Sequence, residues 1–164
     1  MKTKLKIKLL EVLIAVFIIG IVGAVVAFLL NIIKIQSADA KRISDINQIA
    51  KALELHYDKN AYYPDRLDDL VSAGFLSAVP IPPPGGEQIF YAYVPLGENS
   101  ICTGYHLGAS METNYREIIG NDTDAYPSKT CAGAGPDFDG TAINCEIGVL
   151  GEGDGKGNCY DLKI

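Results

Sequence analysis

Residues 12–33 decide the organisation of this chain, and they read VLIAVFIIGIVGAVVAFLLNII. These 22 residues include no charged side chain, and Asn31 is the one strongly polar residue among them. A helix of this length rises about 1.5 Å per residue and would span a hydrocarbon core of about 30 Å. The apolar region of an ordinary signal peptide is shorter, roughly 7–15 residues. The stretch therefore predicts a transmembrane helix.

Charge is divided sharply between the two sides of this apolar run. Four lysines lie within the first eight residues, which hold no acid, whereas residues 35–164 hold 9 basic and 19 acidic side chains, a net charge of −10. Basic residues favour the cytoplasmic side, so residues 35–164 are expected outside, in the periplasm or at the cell surface. An acidic body repels phosphate, so no nucleic-acid partner is expected. The 48% hydrophobic content excludes a disordered chain.

The pattern becomes amphipathic after Ile35. Apolar residues recur every three or four positions and would form one helical face, at Ile43, Ile46, Ala50, Leu53 and Tyr57. Charged residues mostly fall on the other faces, at Asp39, Lys41, Arg42, Asp45, Lys51 and Glu54. No Pro or Gly interrupts residues 24–60, which favours one continuous helix of about 50 residues. Two helices with a bend near Asn31 or Ser37 are the alternative.

A short second helix is predicted after this long one. Its apolar positions are Leu67, Leu70 and Val71. Asp65 is expected to cap its N-terminus, and Gly74 is expected to end it. Residues 80–86 read PIPPPGG, which fits neither a helix nor a central strand. We expect a rigid surface connection there.

The second half of the chain is rich in strand-forming residues at two places. Residues 88–94 and 101–107 predict an antiparallel pair with a turn at 97–99, packed on the amphipathic helix. Apolar residues alternate over 105–111, as in a half-buried strand. Residues 113–164 are rich in Gly and Asp. The prediction is an α+β fold in which a long N-terminal helix, transmembrane and then amphipathic, packs on a small antiparallel sheet with a disulfide-bonded, loop-rich C-terminal region.

The cysteines all lie in the half of the chain that is expected outside the cell membrane, at Cys102, Cys131, Cys145 and Cys159. Their spacing is wide, whereas zinc sites usually contain tight pairs. An even number in an exported, loop-rich region predicts two disulfides. Four cysteines allow three connectivities, among which we favour Cys102–Cys131 with Cys145–Cys159.

The sequence offers little support for catalysis. His56 and His106 are its two histidines, and neither belongs to a Ser-His-Asp arrangement with an activating motif or to a His-Glu-x-x-His motif. Gly155-Lys156 lacks the other residues of a phosphate-binding loop. We therefore expect a protein that is not an enzyme.

Residues 8–15, KLLEVLIA, resemble the start of a type IV pilin or pseudopilin. The resemblance implies that a prepilin peptidase cuts between Lys6 and Ile7, followed by N-methylation, and that Glu11 pairs with the new α-amine during assembly. Lys6 stands where the family has glycine. On this alignment residues 1–6 are a leader-like segment, 7–34 the transmembrane and assembly helix, and 35–164 an exported globular pilin domain.

Two further stretches resemble the major pseudopilins of type II secretion. Residues 45–64 are similar to their helix exit, with Tyr57, Asn60 and Tyr63-Pro64 in the expected order. The glycine-rich residues 150–161 are similar to their C-terminal calcium loop. That resemblance implies Ca²⁺ bound by the Leu150 carbonyl, Asp154 and Asp161. An acidic turn exposed to solvent and held by a cysteine is the alternative.

The resemblance implies a structural subunit of a type IV pilus-like or type II secretion pseudopilus filament. Its partners would be copies of itself, minor pilins, the inner-membrane assembly platform and the prepilin peptidase. It would cross the inner membrane once before it enters an extracytoplasmic filament. One alternative is an unprocessed, membrane-anchored monomeric binding module. Another is a secreted protein cut after Ala38-Asp39-Ala40.

Overall fold

The computed structural model describes residues 2–85, 88–98, 101–113, 122–148 and 158–164. It confirms the predicted α+β architecture, with a long apolar helix followed by a small antiparallel sheet and two disulfides. The elements are helix α1 (Lys2–Asn60), helix α2 (Leu67–Ser72) and strands β1 (Ala92–Glu98), β2 (Ile101–Ser110) and β3 (Cys159–Lys163).

Helix α1 is a single helical element, which confirms the prediction of one continuous helix. Its N-terminal part belongs to a compact unit that ends at Ser37, and the second unit begins at Ala38. From residue 10 to residue 33 the apolar side chains are exposed, and Phe17 and Ile19 keep 69% and 70% of their surface accessible. Among the described residues, one helix is long and apolar enough to cross a membrane, and it contains this stretch.

The C-terminal part of α1 supplies one side of the main core. Ile46, Ile49 and Leu53 are fully buried and share a hydrophobic cluster with Tyr105 and Leu107 of β2. Full burial of an aliphatic side chain of this size contributes about 1.5–3 kcal/mol. The three- and four-residue spacing seen in the sequence therefore corresponds to a helix face that packs on the sheet.

Three charged residues of α1 that were expected on its outer faces are buried instead. Arg42 is 1% exposed and lies between Asp39 and Glu112, with N–O distances of 2.6 Å and 2.8 Å. Asp45 accepts a hydrogen bond of 2.8 Å from the hydroxyl of Tyr91. The prediction was wrong here because distant segments cover this face of the helix and provide partners for its charges.

The sheet has the order β1-β2-β3, and both pairs are antiparallel. The predicted antiparallel pairing of the first two strands is confirmed, but β1 begins at Ala92 rather than at residue 88. It continues through Gly97, where a turn was expected, after an irregularity in register between Leu96 and Gly97. Strand β3 was missed, because its five residues follow a glycine-rich stretch that predicts a loop.

Strand β2 is buried on both faces between Gly104 and Ser110, so the expectation of a half-buried strand was wrong. One face carries Tyr105 and Leu107 into the core with α1. The other face is covered by the segment 122–148. There, the ring of Phe138 stacks on His106 with centroids 3.7 Å apart, and the Cys145 N–H donates to the Ser110 hydroxyl at 2.9 Å.

Helix α2 ends as predicted but begins differently. Gly74 has a positive φ of 80°, a conformation that favours glycine after a helix C-terminus. The N-cap is Arg66 rather than the predicted Asp65, and the Arg66 N–H donates to the Asp69 carboxylate at 3.2 Å. The cap prediction was wrong because the carboxylate that accepts the N-cap N–H belongs to Asp69, which lies inside the helix.

The two disulfides join Cys102 to Cys131 and Cys145 to Cys159, with Cα–Cα distances of 5.7 Å and 5.0 Å. This is the pairing that the sequence analysis favoured. Cys145 and Cys159 also belong to a second small hydrophobic cluster with Phe138, on the face of the sheet opposite α1. Each bridge is expected to stabilise the fold by about 2–4 kcal/mol, chiefly by restricting the unfolded chain.

Gly108 is required where this second cluster meets β2. A β-carbon at position 108 would lie 2.8 Å from Cys145 Sγ and 2.8 Å from two Phe138 ring atoms. We expect Gly108→Ala to reduce the free energy of unfolding by about 1–3 kcal/mol, because the ring and the bridge must move. Chemical denaturation of the full-length chain in detergent measures this change.

Gly135→Ala is the matched control, since a β-carbon there meets its nearest neighbour, Ile147 Cγ2, at 3.9 Å. Its effect should stay within about 0.5 kcal/mol. Equal stabilities for the two variants would contradict the packing described for β2.

Candidate functional site

The N-terminal residues singled out in the sequence all lie in helix α1. Lys6 and Ile7, at the expected processing site, are helical, but their side chains lie outside what the structure describes. Glu11 is exposed on the same helix, one residue before the uncharged run. Processing at Lys6-Ile7 and pairing of Glu11 with an amine therefore stay predictions.

A buried charged network lies on the opposite face of the sheet from α1, and His106 is at its centre. The ring is fully buried, with Nδ1 at 2.7 Å from Asp137 Oδ1 and Nε2 at 3.0 Å from Asp161 Oδ2. A histidine that bonds a carboxylate through each ring nitrogen can donate both bonds only when it is protonated. The geometry therefore favours an imidazolium between two carboxylates.

Asp137 has further donors around it. Its Oδ1 also accepts from the Phe138 N–H at 2.9 Å, while Oδ2 accepts from the Ser128 N–H at 2.8 Å and from Lys163 Nζ at 3.1 Å. Four donors to one buried carboxylate satisfy its charge. They also fix the segment 122–148 against β3, which carries Lys163.

Asp161 of β3 joins the network to the start of the covering segment. Its Oδ2 also accepts from the Ala125 N–H at 3.1 Å, and its carbonyl accepts from the Thr123 N–H at 3.0 Å. The Asp161 N–H donates to Asp122 Oδ1 at 3.0 Å. Asp161 is fully buried, so these bonds hold the segment 122–125 beside β3.

The pKa values of these groups are displaced by burial and by their neighbours. Burial alone would lower the pKa of His106, but its bonds to Asp137 and Asp161 outweigh that effect and raise it. Burial would raise the pKa of Asp137, yet the bonds from His106 and Ser128 outweigh it and lower it. Burial raises the pKa of Asp122 to about 6, opposed by the bond from the Asp161 N–H and reinforced by the Asp161 charge.

One of the three predicted calcium ligands lies among the residues that the structure describes. Leu150 and Asp154 lie outside the described residues, so the loop site of the sequence analysis stays a prediction. Asp161 is described, and it lies with Asp122 and Asp124, where one carboxylate oxygen of each falls within 4.8 Å of the others. The sequence analysis missed these two acids. The spacing Asp-Thr-Asp at 122–124 was the available signal, but nothing placed it beside β3.

Neither histidine is placed for catalysis by the contacts that the structure describes. His56 Nδ1 lies 3.0 Å from the Tyr62 carbonyl oxygen, close to the end of α1. His106 is enclosed by the network. The expectation that the protein is not an enzyme stays a prediction. A groove of about 600 Å³ lies elsewhere on the domain, between α2 and the start of β1, and its lining includes Asp65, Arg66 and Phe90.

Replacing Asp137 by Asn should destabilise the protein by about 3–5 kcal/mol at neutral pH, because it leaves buried cations without their partner. The pKa of Asp137 is below the ordinary value of 3.8, so its charge stabilises the fold above that pH. That contribution is lost as the pH falls through the lowered pKa. The effect of Asp137→Asn should therefore shrink in strong acid. Denaturant midpoints of the full-length native chain and of Asp137→Asn, measured in detergent at pH 7 and at pH 3, give the destabilisation at each pH.

Asp68→Asn provides the control, because its side chain is 75% exposed and lies 3.8 Å from the exposed Arg66. It should change the free energy of unfolding by less than about 1 kcal/mol. An Asp137→Asn effect of the same size at both pH values would contradict the assignment of a charged Asp137.

No family model, no curated protein and no solved structure matches this chain. The inference of function therefore rests on the residues and geometry of the chain itself.

Proposed function

We propose that this protein is a structural subunit of a type IV pilus-like or type II secretion pseudopilus filament, assembled through its N-terminal helix. The observation that carries the proposal is the exposed apolar surface of α1 over residues 12–33. A surface of this kind needs lipid or other protein to cover it. Helices from further copies of the chain supply such a cover when a subunit leaves the bilayer.

Glu11 gives this helix a means of setting its position in a filament. It is the one acid in the first 38 residues, and it directly precedes the uncharged run. A carboxylate in an apolar environment requires a partner of opposite charge. Cleavage before Ile7 would create an α-amine four residues away, and the amine of the same or a neighbouring chain would neutralise Glu11.

The domain beyond Ala38 has properties that suit the outside of such a filament. It is acidic, and two disulfides join the segment 122–148 to β2 and to β3. Disulfides persist in oxidising compartments such as the periplasm. Minor pilins, an inner-membrane assembly platform and a prepilin peptidase are the partners that this role requires. The chain would be inserted in the inner membrane before it enters the filament.

Lys6 favours a second candidate function. The pilin family has glycine before the cut, and a peptidase pocket that admits only glycine would exclude a lysine side chain. An uncut chain would remain a membrane-anchored monomer that displays its disulfide-bonded domain as a binding module. The groove between α2 and β1 would then be the available concave surface.

The state of the N-terminus separates the two candidates. We expect the chain produced together with a prepilin peptidase to begin at Ile7, with or without a methyl group on its amine. Intact-mass measurement and N-terminal sequencing determine this directly. Lys6→Gly is the matched variant, and it should be cut at the same bond. A native chain that keeps Met1 while Lys6→Gly is cut would favour the anchored module.

Glu11→Ala should leave the protein in the membrane and abolish filament formation, because the amine and the helix would lose their pairing partner. Membrane fractionation and electron microscopy of sheared cells measure the two properties. Glu146→Ala, which changes an exposed acid of the globular domain, should leave filaments intact. Normal filaments in Glu11→Ala would count against the proposed role.

A further inference from the structure

The three carboxylates of Asp122, Asp124 and Asp161 form the most concentrated acidic group that the structure describes. One oxygen of each lies within 4.8 Å of the other two. Three negative charges at this distance repel one another, and burial makes the repulsion more costly. Protonated His106 contacts Asp161 and offsets part of that cost.

Asp161 provides a second and independent observation. It is fully buried, and its Oδ2 is engaged by His106 Nε2 and the Ala125 N–H. Its Oδ1, in contrast, has no hydrogen-bond partner in the described part of the chain. Buried carboxylate oxygens are almost always paired, so an orphaned one indicates that a ligand belongs beside it.

The backbone of Gly140 packs closely against this carboxylate. A β-carbon at position 140 would clash with Asp161 Oδ1 and lie 2.7 Å from Oδ2, so glycine is the residue that fits here. The Gly140 N–H donates to the Ala125 carbonyl at 2.9 Å, so the residue is held in place beside the cluster. Asp122 and Asp124 are partly exposed, which leaves the cluster open to solvent on one side.

We propose that Asp122, Asp124 and Asp161 bind one hard divalent cation, Ca²⁺, between the segment 122–125 and strand β3. Ca²⁺ takes six to eight oxygen ligands with flexible geometry, and three carboxylates with bound water can supply them. The cation would offset the repulsion among the acids and pair with Asp161 Oδ1. This site differs from the loop of Leu150 and Asp154, with which it shares Asp161 alone, and it does not depend on filament assembly.

Two Asn substitutions test the site with little risk to folding. Asp122 Oδ1 accepts the Asp161 N–H, and an Asn at 122 retains an oxygen that can accept the same bond. Asp124 has a positive φ of 48°, a conformation that Asn adopts readily. Each substitution removes one negative charge from the cluster. Circular dichroism in EGTA checks that both variants are folded.

The measurement is the thermal midpoint of the full-length chain in detergent, in EGTA and in 1 mM CaCl₂. We expect Ca²⁺ to raise the midpoint of the native chain by about 5 °C, because a ligand that binds only the folded state stabilises it. Asp122→Asn and Asp124→Asn should lose at least half of that rise. Calorimetric titration of the native chain should give one Ca²⁺ per chain.

Glu146→Gln is the matched control, because it removes an exposed acid of the segment 122–148 that does not belong to the three-carboxylate cluster. It should keep the full rise in the midpoint. If Asp154→Asn abolishes the rise and Asp124→Asn keeps it, the cation binds in the loop and the proposal is overturned. No rise and no binding heat in the native chain would also overturn it.

Discussion

The burial of strand β2 on both faces is the constraint on which the rest of the domain depends. One face packs against the amphipathic part of α1, and the other is covered by the segment 122–148. Phe138 and Cys145 of that segment share a hydrophobic cluster with β1 and with Cys159 of β3, and Cys131 is joined to Cys102 of β2 by a disulfide. Hydrogen bonds and charges complete this cover, and His106 and Ser110 are the residues of β2 whose side chains take part.

The long-range parts of this arrangement could not be predicted from the sequence. The length and position of α1 followed from an uninterrupted apolar run and a regular three- and four-residue spacing, which are local signals. Strand β3 depends instead on pairing with β2, whose partner residues lie 49 to 57 positions away along the chain. The burial of Arg42 depends on Glu112, which is 70 residues away. Local periodicity contains no information about such partners, so charged residues of α1 were expected in solvent.

Because local sequence patterns contain no information about distant partners, the candidate site could be predicted only in part. Asp161 was singled out because the glycine-rich C-terminal stretch resembles a calcium loop. The disulfide pairing was favoured among three connectivities that the sequence does not distinguish. His106 was recognised only as a histidine within a strand. Its role became visible once the fold placed Asp137 and Asp161 on either side of it. The acids at 122 and 124 were missed, since their position beside β3 results from backbone hydrogen bonds that no motif indicates.

The two disulfides have a consequence for the order of events in the cell. Cys131 and Cys145 belong to the covering segment, while Cys102 lies in β2 and Cys159 begins β3. In a reducing cytoplasm these thiols would stay unlinked. The outer layer of the domain would then lack its covalent closure during synthesis. In the proposed role as an exported subunit, translocation would deliver a loosely folded polypeptide, and oxidation on the far side of the membrane would make the mature shape difficult to reverse.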